Sequence, residues 1–275
     1  MSLFSIDRKK CKRDGRCAKV CPAQIIVLPD PEAFPTIPEN REEFCINCGH
    51  CAAVCPHGAL TLKTMPIAEC PDIRYELLPE ADQIRQLLMA RRSIRFYKDR
   101  IVAHGLLEDL IDTARHAPTA SNQQQVQWVV FENPAEVNRL ASMVIDWTRS
   151  MLPLIPDELM AKKMENKIAA WDDGKDQILR GAPHLIVVHS QTDLSFAETN
   201  CVIALTYLEL YAYAKGLGTC WAGYLTTAAG FHEPLKQALG LPQGHKCFGA
   251  VMLGYPQYKY KRIPVRNAAA VTWRS

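Results

Sequence analysis

Four cysteines stand in the run CINCGHCAAVCP, as Cys45, Cys48, Cys51 and Cys55, with Pro56 behind the last. At this spacing three thiolates can cap three irons of one iron–sulfur cubane, while the proline turns the fourth toward a second cluster. Zinc competes for cysteine sets, but this spacing, ending in Cys-Pro, suits its tetrahedral sites poorly. An earlier run, CKRDGRCAKVCP, lays Cys11, Cys17 and Cys21 on the same template, with Asp14 where a cysteine would fall. Exchange of the fourth cysteines predicts one site from Cys45, Cys48, Cys51 and Cys21. The other consists of Cys11, Cys17 and Cys55, with Asp14 as its fourth candidate.

Asp14 carries the charge of a thiolate but is a harder ligand, which iron–sulfur clusters hold less firmly. Three outcomes are open: a [4Fe–4S] cluster with one oxygen-ligated iron, a [3Fe–4S] cluster that has lost it, or a spare carboxylate. The first is preferred, with that iron labile. His50 and His57 lie among the ligands but have no needed role. Arg8, Lys9, Lys10, Lys12, Arg13 and Arg16 read as a solvated face, with docking of an acidic electron donor as a second use. Both cysteine runs lead into similar text, CPAQIIVL and CPHGALTL, an internal repeat of cysteine loop, turn and strand. Over about residues 3–65 the chain resembles a bacterial two-cluster ferredoxin.

Further candidates lie downstream. RRSIRFY places Arg91, Arg92, Ser93 and Arg95 at a helix end, and guanidinium forks suit a phosphate. The loop APTASNQQQ offers Ser121, Asn122 and Gln124 for a heterocycle. GLGTCWAG holds Trp221, Ala222 and Gly223; it neither follows a strand nor opens a helix in this reading, so a dinucleotide fingerprint fails. The chain closes on GYPQYKYKRIPVRN, a basic extended arm with Lys261 and Arg262. Cys220 reads as buried, since no base is placed beside it.

Elements must position these groups. ADQIRQLLMARR and GLLEDLIDTARHA carry helical periodicity, and ETNCVIALTYLELYAYAKGLG is a long, nearly all-round apolar helix closed by Gly216. VQWVVFE, HLIVVHS, TCWAGYL and CFGAVMLGY read as strands, with the helix HEPLKQALG between the last two. Mixed helices and strands make an α+β, layered α/β domain. The organisation expected is an iron–sulfur domain over 1–66, a linker over 67–79 and a larger domain over 80–275. Segment 146–181 reads as a helical insert. In the 275-residue chain, 32 basic against 29 acidic residues give a net charge of +3, too even to argue for nucleic acid. No apolar stretch is long enough for a bilayer, and MSLFSIDRKK has no signal-peptide core, so a cytoplasmic protein is expected. Seven of the eleven cysteines fall between Cys11 and Cys55, which in a reducing compartment indicates metal rather than disulfides.

In their order and spacing, Arg-Arg-Ser-x-Arg, Ala-Pro-x-x-x-Asn-x-Gln, Gly-Leu-Gly-Thr-Cys-Trp-x-Gly and Gly-Tyr-Pro…Arg-x-Pro resemble the FMN-dependent nitroreductase family over about residues 80–275. Gln125-Val126 departs from the Pro-Trp of many relatives. The resemblance implies a homodimer with FMN at the subunit interface. Arg91, Arg92, Ser93 and Arg95 would contact its phosphate, ribityl chain or N1/O2 edge, and Asn122 would reach in from the other subunit. Ser121 and Gln124 are further candidates from that loop. Trp221, Ala222 and Gly223 would lie near N5, with Arg262 and Lys261 near the phosphate. With the cysteine module in front, the chain looks like an oxidoreductase fed by ferredoxin or NAD(P)H. A nitro compound, quinone or activated alkene would be its small acceptor. An electron-transfer or flavin-storage protein without its own substrate is the alternative.

Overall fold

The computed structural model describes residues 3–274 and separates into two compact units. The first comprises the chain up to Leu78 together with Ala120–Gln123. Its short strands β1 (Phe4–Ile6) and β2 (Leu60–Leu62) pair antiparallel, so the ends of the cysteine module are tied together. Between them lie two four-residue helices, α1 (Arg16–Lys19) and α2 (His50–Ala53). Phe4, Ile25, Ile26, Ala52, Leu60 and Leu62 form a small apolar core with Cys17.

The repeat read in the sequence is visible in the backbone. Left-handed Gly15 opens α1 as left-handed Gly49 opens α2, and Arg13 and Gln24 recur as Asn47 and Gly58, all at positive φ. Asp14 therefore occupies the backbone position that Cys48 has in the second loop. The repeat is imperfect in its strands. CPHGALTL yields β2, but CPAQIIVL yields only one bridge, Val27 to Thr36. Residues 67–79 contain two short 3-10 turns, Ile67–Glu69 and Tyr75–Leu77.

The second unit places a sheet between helical layers. Its helices are α3 (Ala81–Ala90), α4 (His104–Ala114), α5 (Pro134–Met151), α6 (Glu158–Asp172), α7 (Ala197–Ala214), α8 (Gly223–Phe231) and α9 (Glu233–Ala238). Its strands are β3 (Gln127–Phe131), β4 (His184–Gln191), β5 (Gly218–Trp221) and β6 (His245–Gly254). The sheet order is β3-β4-β6-β5, every pair antiparallel. Because side chains alternate across a sheet, Leu185, Val187, Ala250 and Met252 pack with α5, α8 and α9 on one face. Ile186, Val188, Val251 and Leu253 pack with α4 and α7 on the other. Burial on both faces explains why β4 and β6 read as continuous apolar runs rather than alternating ones.

Two expectations need correction. TCWAGYL is not one strand: β5 stops at Trp221, and Gly223 opens α8, so this glycine-rich segment does open a helix. Segment 146–181 is not a separate insert. Its first residues continue α5, whose Val137, Leu140, Ala141, Val144 and Ile145 are core, and it ends with buried Ile178 and Leu179. Asn133 caps α5 through Ala135 N–H at 2.9 Å, with Pro134 at the first helical position. That start signal lies ahead of the stretch the sequence reading had treated as inserted.

Candidate functional site

The eight candidate metal ligands line two separate cavities in the first unit. Cys21, Cys45, Cys48 and Cys51 line one, walled by Phe4, Ile25, Ile26 and Leu62. Cys11, Asp14, Cys17 and Cys55 line the other, with Pro35, His57 and Leu60. Each cavity thus draws one cysteine from the opposite run. Backbone N–H groups already point at sulfur: Asn47 donates to Cys45 Sγ at 3.4 Å and Ala59 to Cys55 Sγ at 3.3 Å. Such bonds favour a thiolate and tune a cluster's potential.

Burial raises the Cys17 thiol and pushes Cys51 up to about 11, so at neutral pH each keeps its proton unless a metal replaces it. Among the described residues no group of three or more His, Cys, Asp and Glu is placed to hold a single ion. A cubane asks instead for thiolates spread around a box. Asp14 is engaged locally: its Oδ1 accepts from Arg16 N–H at 3.2 Å, and Oδ2 lies 3.3 Å from Arg16 Nε. His57, set aside on sequence grounds, is part of the same cavity wall.

In the second unit, two of the motifs from opposite ends of the sequence meet. Ile94 N–H donates to Thr219 O at 2.8 Å, which lays the Arg91–Arg95 segment along β5. Gly218 permits this approach, since a Cβ there would stand 2.5 Å from Ile94 Cγ1. Beneath the pairing sits Glu209, a buried carboxylate on α7. It accepts from Thr219 Oγ1 at 2.9 Å and from Trp221 Nε1 at 2.6 Å, and lies 3.5 Å from Arg91 Nη1. Glu209 is not among the candidates read from the sequence. Its signal was that a lone acid in an apolar helix must be paired.

Trp221 is partly exposed, and Ala222 is buried with its side chain in the core. Arg95, Trp221 and Gly223 line an open cavity of about 500 Å³ that also includes Arg180, Gln177 and Cys220. Burial raises the Cys220 thiol, and the nearby Arg95 guanidinium partly offsets this. The Ser93 side chain beside the same thiol also works against that rise. Arg92 lines a different cavity, with Lys98, Tyr258 and Tyr260. Arg92 Nε is buried without a partner among the described residues, as a donor waiting for a polar ligand would be.

The other candidates are not gathered there. Lys261 and Arg262 stand exposed on an arm without regular structure. Ser121, Asn122 and Gln124 adopt left-handed backbone conformations. Ser121 and Asn122 fall in the segment grouped with the first unit, where Asn122 Nδ2 donates to Ile46 O at 3.2 Å and Asn47 O at 2.9 Å. Gln124 N–H is held by Thr119 Oγ1 at 3.0 Å.

A layered α+β unit with these motifs, in one chain with two cysteine-lined cavities, defines an iron–sulfur flavoprotein oxidoreductase. The nitroreductase family model matches residues 88–255, and the 4Fe-4S dicluster domain model matches residues 7–62. The chain belongs to the nitroreductase family. A Bacillus subtilis protein named as an NAD(P)H nitroreductase is 24% identical over 69% of this chain and 97% of its own. An Archaeoglobus fulgidus protein named as an NADH dehydrogenase/NAD(P)H nitroreductase is 27% identical over 64% of this chain and 87% of its own. The fold is shared with a Bacteroides fragilis nitroreductase solved with bound FMN. That match has a TM-score of 0.57 at 20% identity, covering 70% of this chain and 99% of the other.

Proposed function

We propose that the chain takes up electrons from an external donor at its iron–sulfur unit and reduces a small organic acceptor beside an FMN held by the second unit. Nitro compounds, quinones and activated alkenes are the acceptor classes. The observation that carries this reading is the Ile94–Thr219 pairing, which brings the arginine-rich segment against Trp221–Gly223 in a chain that also builds two cysteine-lined cavities. Bound cofactors would supply one-electron carriers beside a two-electron store. Cys21, Cys45, Cys48 and Cys51 would hold one [4Fe–4S] cluster, and Cys11, Cys17 and Cys55 with Asp14 the other.

Arg91, Arg92 and Ser93 would bind phosphate and ribityl, and Arg95 would place its positive charge at the N1/O2 edge. Trp221, Ala222 and Gly223 would border the ring. Lys261 and Arg262 would add phosphate contacts. Ser121, Asn122 and Gln124 would belong to a site shared between subunits of a homodimer. Ile84, Leu88 and Met89, apolar yet exposed on α3, support such an interface. No side chain is assigned to proton delivery, which water can perform.

The open cavity beside Trp221 supports an enzyme over a flavin store. The names of the relatives favour NAD(P)H as an alternative direct donor. No helix among the described residues is long and apolar enough to cross a membrane. The test is anaerobic purification with iron, sulfide and flavin analysis, then turnover of a nitroaromatic and quinone panel with reduced ferredoxin or with NAD(P)H. A preparation that retains flavin and both clusters yet reduces no acceptor from either donor would sink the reading.

A further inference from the structure

We propose that the cavity beside Trp221 and Gly223 selects acceptors carrying a carboxylate, and that Arg180 is the side chain that binds it. This rests on the acceptor-reducing reading above and adds the chemical class of the acceptor.

The charge in the cavity is one-sided. Arg95 and Arg180 both line it, with Gln177 and Tyr224 as further polar groups, and no acidic residue is in its wall. Neither guanidinium has an ion-pair partner among the described residues. The first turn of α8 begins at Gly223 in the same wall and has no side-chain cap. Its free N–H groups add positive potential to the guanidinium pair. With Arg95 and Gly223 given to the flavin, Arg180 is the cation in this wall left to bind a second anion, in a potential the start of α8 makes more positive.

Arg180 is held in place by unusual local means. Asp176 clamps its loop with both oxygens: Oδ1 accepts from Ile178 N–H at 2.7 Å and Leu179 N–H at 2.9 Å, and Oδ2 from Gly181 N–H at 2.9 Å. Ile178 and Leu179 are buried in the core, which pins the loop from inside. Arg180 itself is left-handed, at φ 62°, followed by Gly181 at φ 61°. A non-glycine residue persists there only where its surroundings over-determine it. The loop thus fixes, before any ligand arrives, the backbone from which the Arg180 side chain reaches the cavity. Arg95 serves the flavin in the proposed function, which leaves Arg180, with Gln177, to face the acceptor.

The test compares 4-nitrobenzoate with nitrobenzene, which share a ring and nitro group and differ by one carboxylate. It uses the holoprotein and its Arg180→Gln and Arg180→Lys variants. The ratio of kcat/KM for 4-nitrobenzoate over nitrobenzene falls about tenfold or more in Arg180→Gln, the loss of one charge-assisted contact. Arg180→Lys recovers part of the ratio, since it keeps the charge but not the planar fork. Calorimetry with benzoate, which is not reduced, gives the same order of affinities. An unchanged ratio together with unchanged benzoate affinity overturns the proposal. So does a variant that releases its flavin, for Arg180 would then serve the cofactor. If neither nitro compound is consumed, the acceptor-reducing reading fails, while benzoate affinity still decides whether the anion site exists.

Discussion

The indole N–H of Trp221 donates to Glu209 Oε2 at 2.6 Å, joining the end of β5 to the middle of the helix that precedes it. The same carboxylate takes the Thr219 hydroxyl and faces Arg91. Two segments that carry candidate flavin contacts, Arg91–Arg95 and β5 with its continuation, are thus referenced to one buried acid. Replacing Glu209 with Ala leaves two donors and a guanidinium without an acceptor, at a cost of about 2–4 kcal/mol. Glu209→Gln keeps an acceptor for one donor and loses less. Urea denaturation reads both, and an alanine variant as stable as the parent would refute the role.

Gly218→Ala sets a methyl against Ile94, at a position where the space is already filled. Overpacking of this kind costs about 1–3 kcal/mol. It also pushes the Arg91–Arg95 segment off β5, so retained flavin falls along with the melting temperature. Adding Ile94→Ala relieves the clash, and the two changes couple because the side chains touch. Strictly additive losses in the double variant would contradict the packing described.

The scattered cysteines of the second unit imply a pH dependence. Burial pushes Cys201 up to about 12 and Cys247 up to about 11, from an ordinary 9.0. The unfolded chain releases these protons first, so above pH 9 the native state holds more protons than the unfolded one. Stability is therefore full below pH 9 and declines as pH rises toward 11–12. Thermal melts between pH 8 and 11 show this decline, and Cys201→Ala removes part of the slope. A slope unchanged in that variant would assign the loss to other groups.

At the first cysteine run, an anaerobic preparation is expected to hold four irons at the Cys11, Cys17 and Cys55 site, one of them labile. Asp14→Ala leaves three there, and Asp14→Cys makes the fourth resistant to loss. Iron and sulfide analysis with EPR separates these states. An Asp14→Ala protein that keeps its fourth iron would confine Asp14 to its contacts with Arg16.

Much of this chemistry was legible because it is local. Cysteines a few residues apart can meet around one cluster whatever the rest of the chain does, and the repeat is carried by residues such as Gly15 and Gly49. The strands β4 and β6 and the helix α7 announced themselves as long apolar runs. Less was legible where neighbours decide. CPAQIIVL has the composition of a strand but finds only Thr36 to bridge, whereas β2 finds β1. GYL has strand-like residues, yet after Ala222 leaves the sheet it winds into α8.

The sequence by itself determined the candidate ligand types, their spacing in each cysteine run and the motifs that set the class of the second unit. Tertiary structure alone decided which distant residues share a wall. Glu209 meets Trp221 because α7 packs on β5, and Arg180 shares a cavity with Arg95 because an Asp176-clamped loop ends beside the sheet. Such neighbours arise from sheet register and helix packing, which sum weak contacts over the whole unit. No spacing within the chain encodes them.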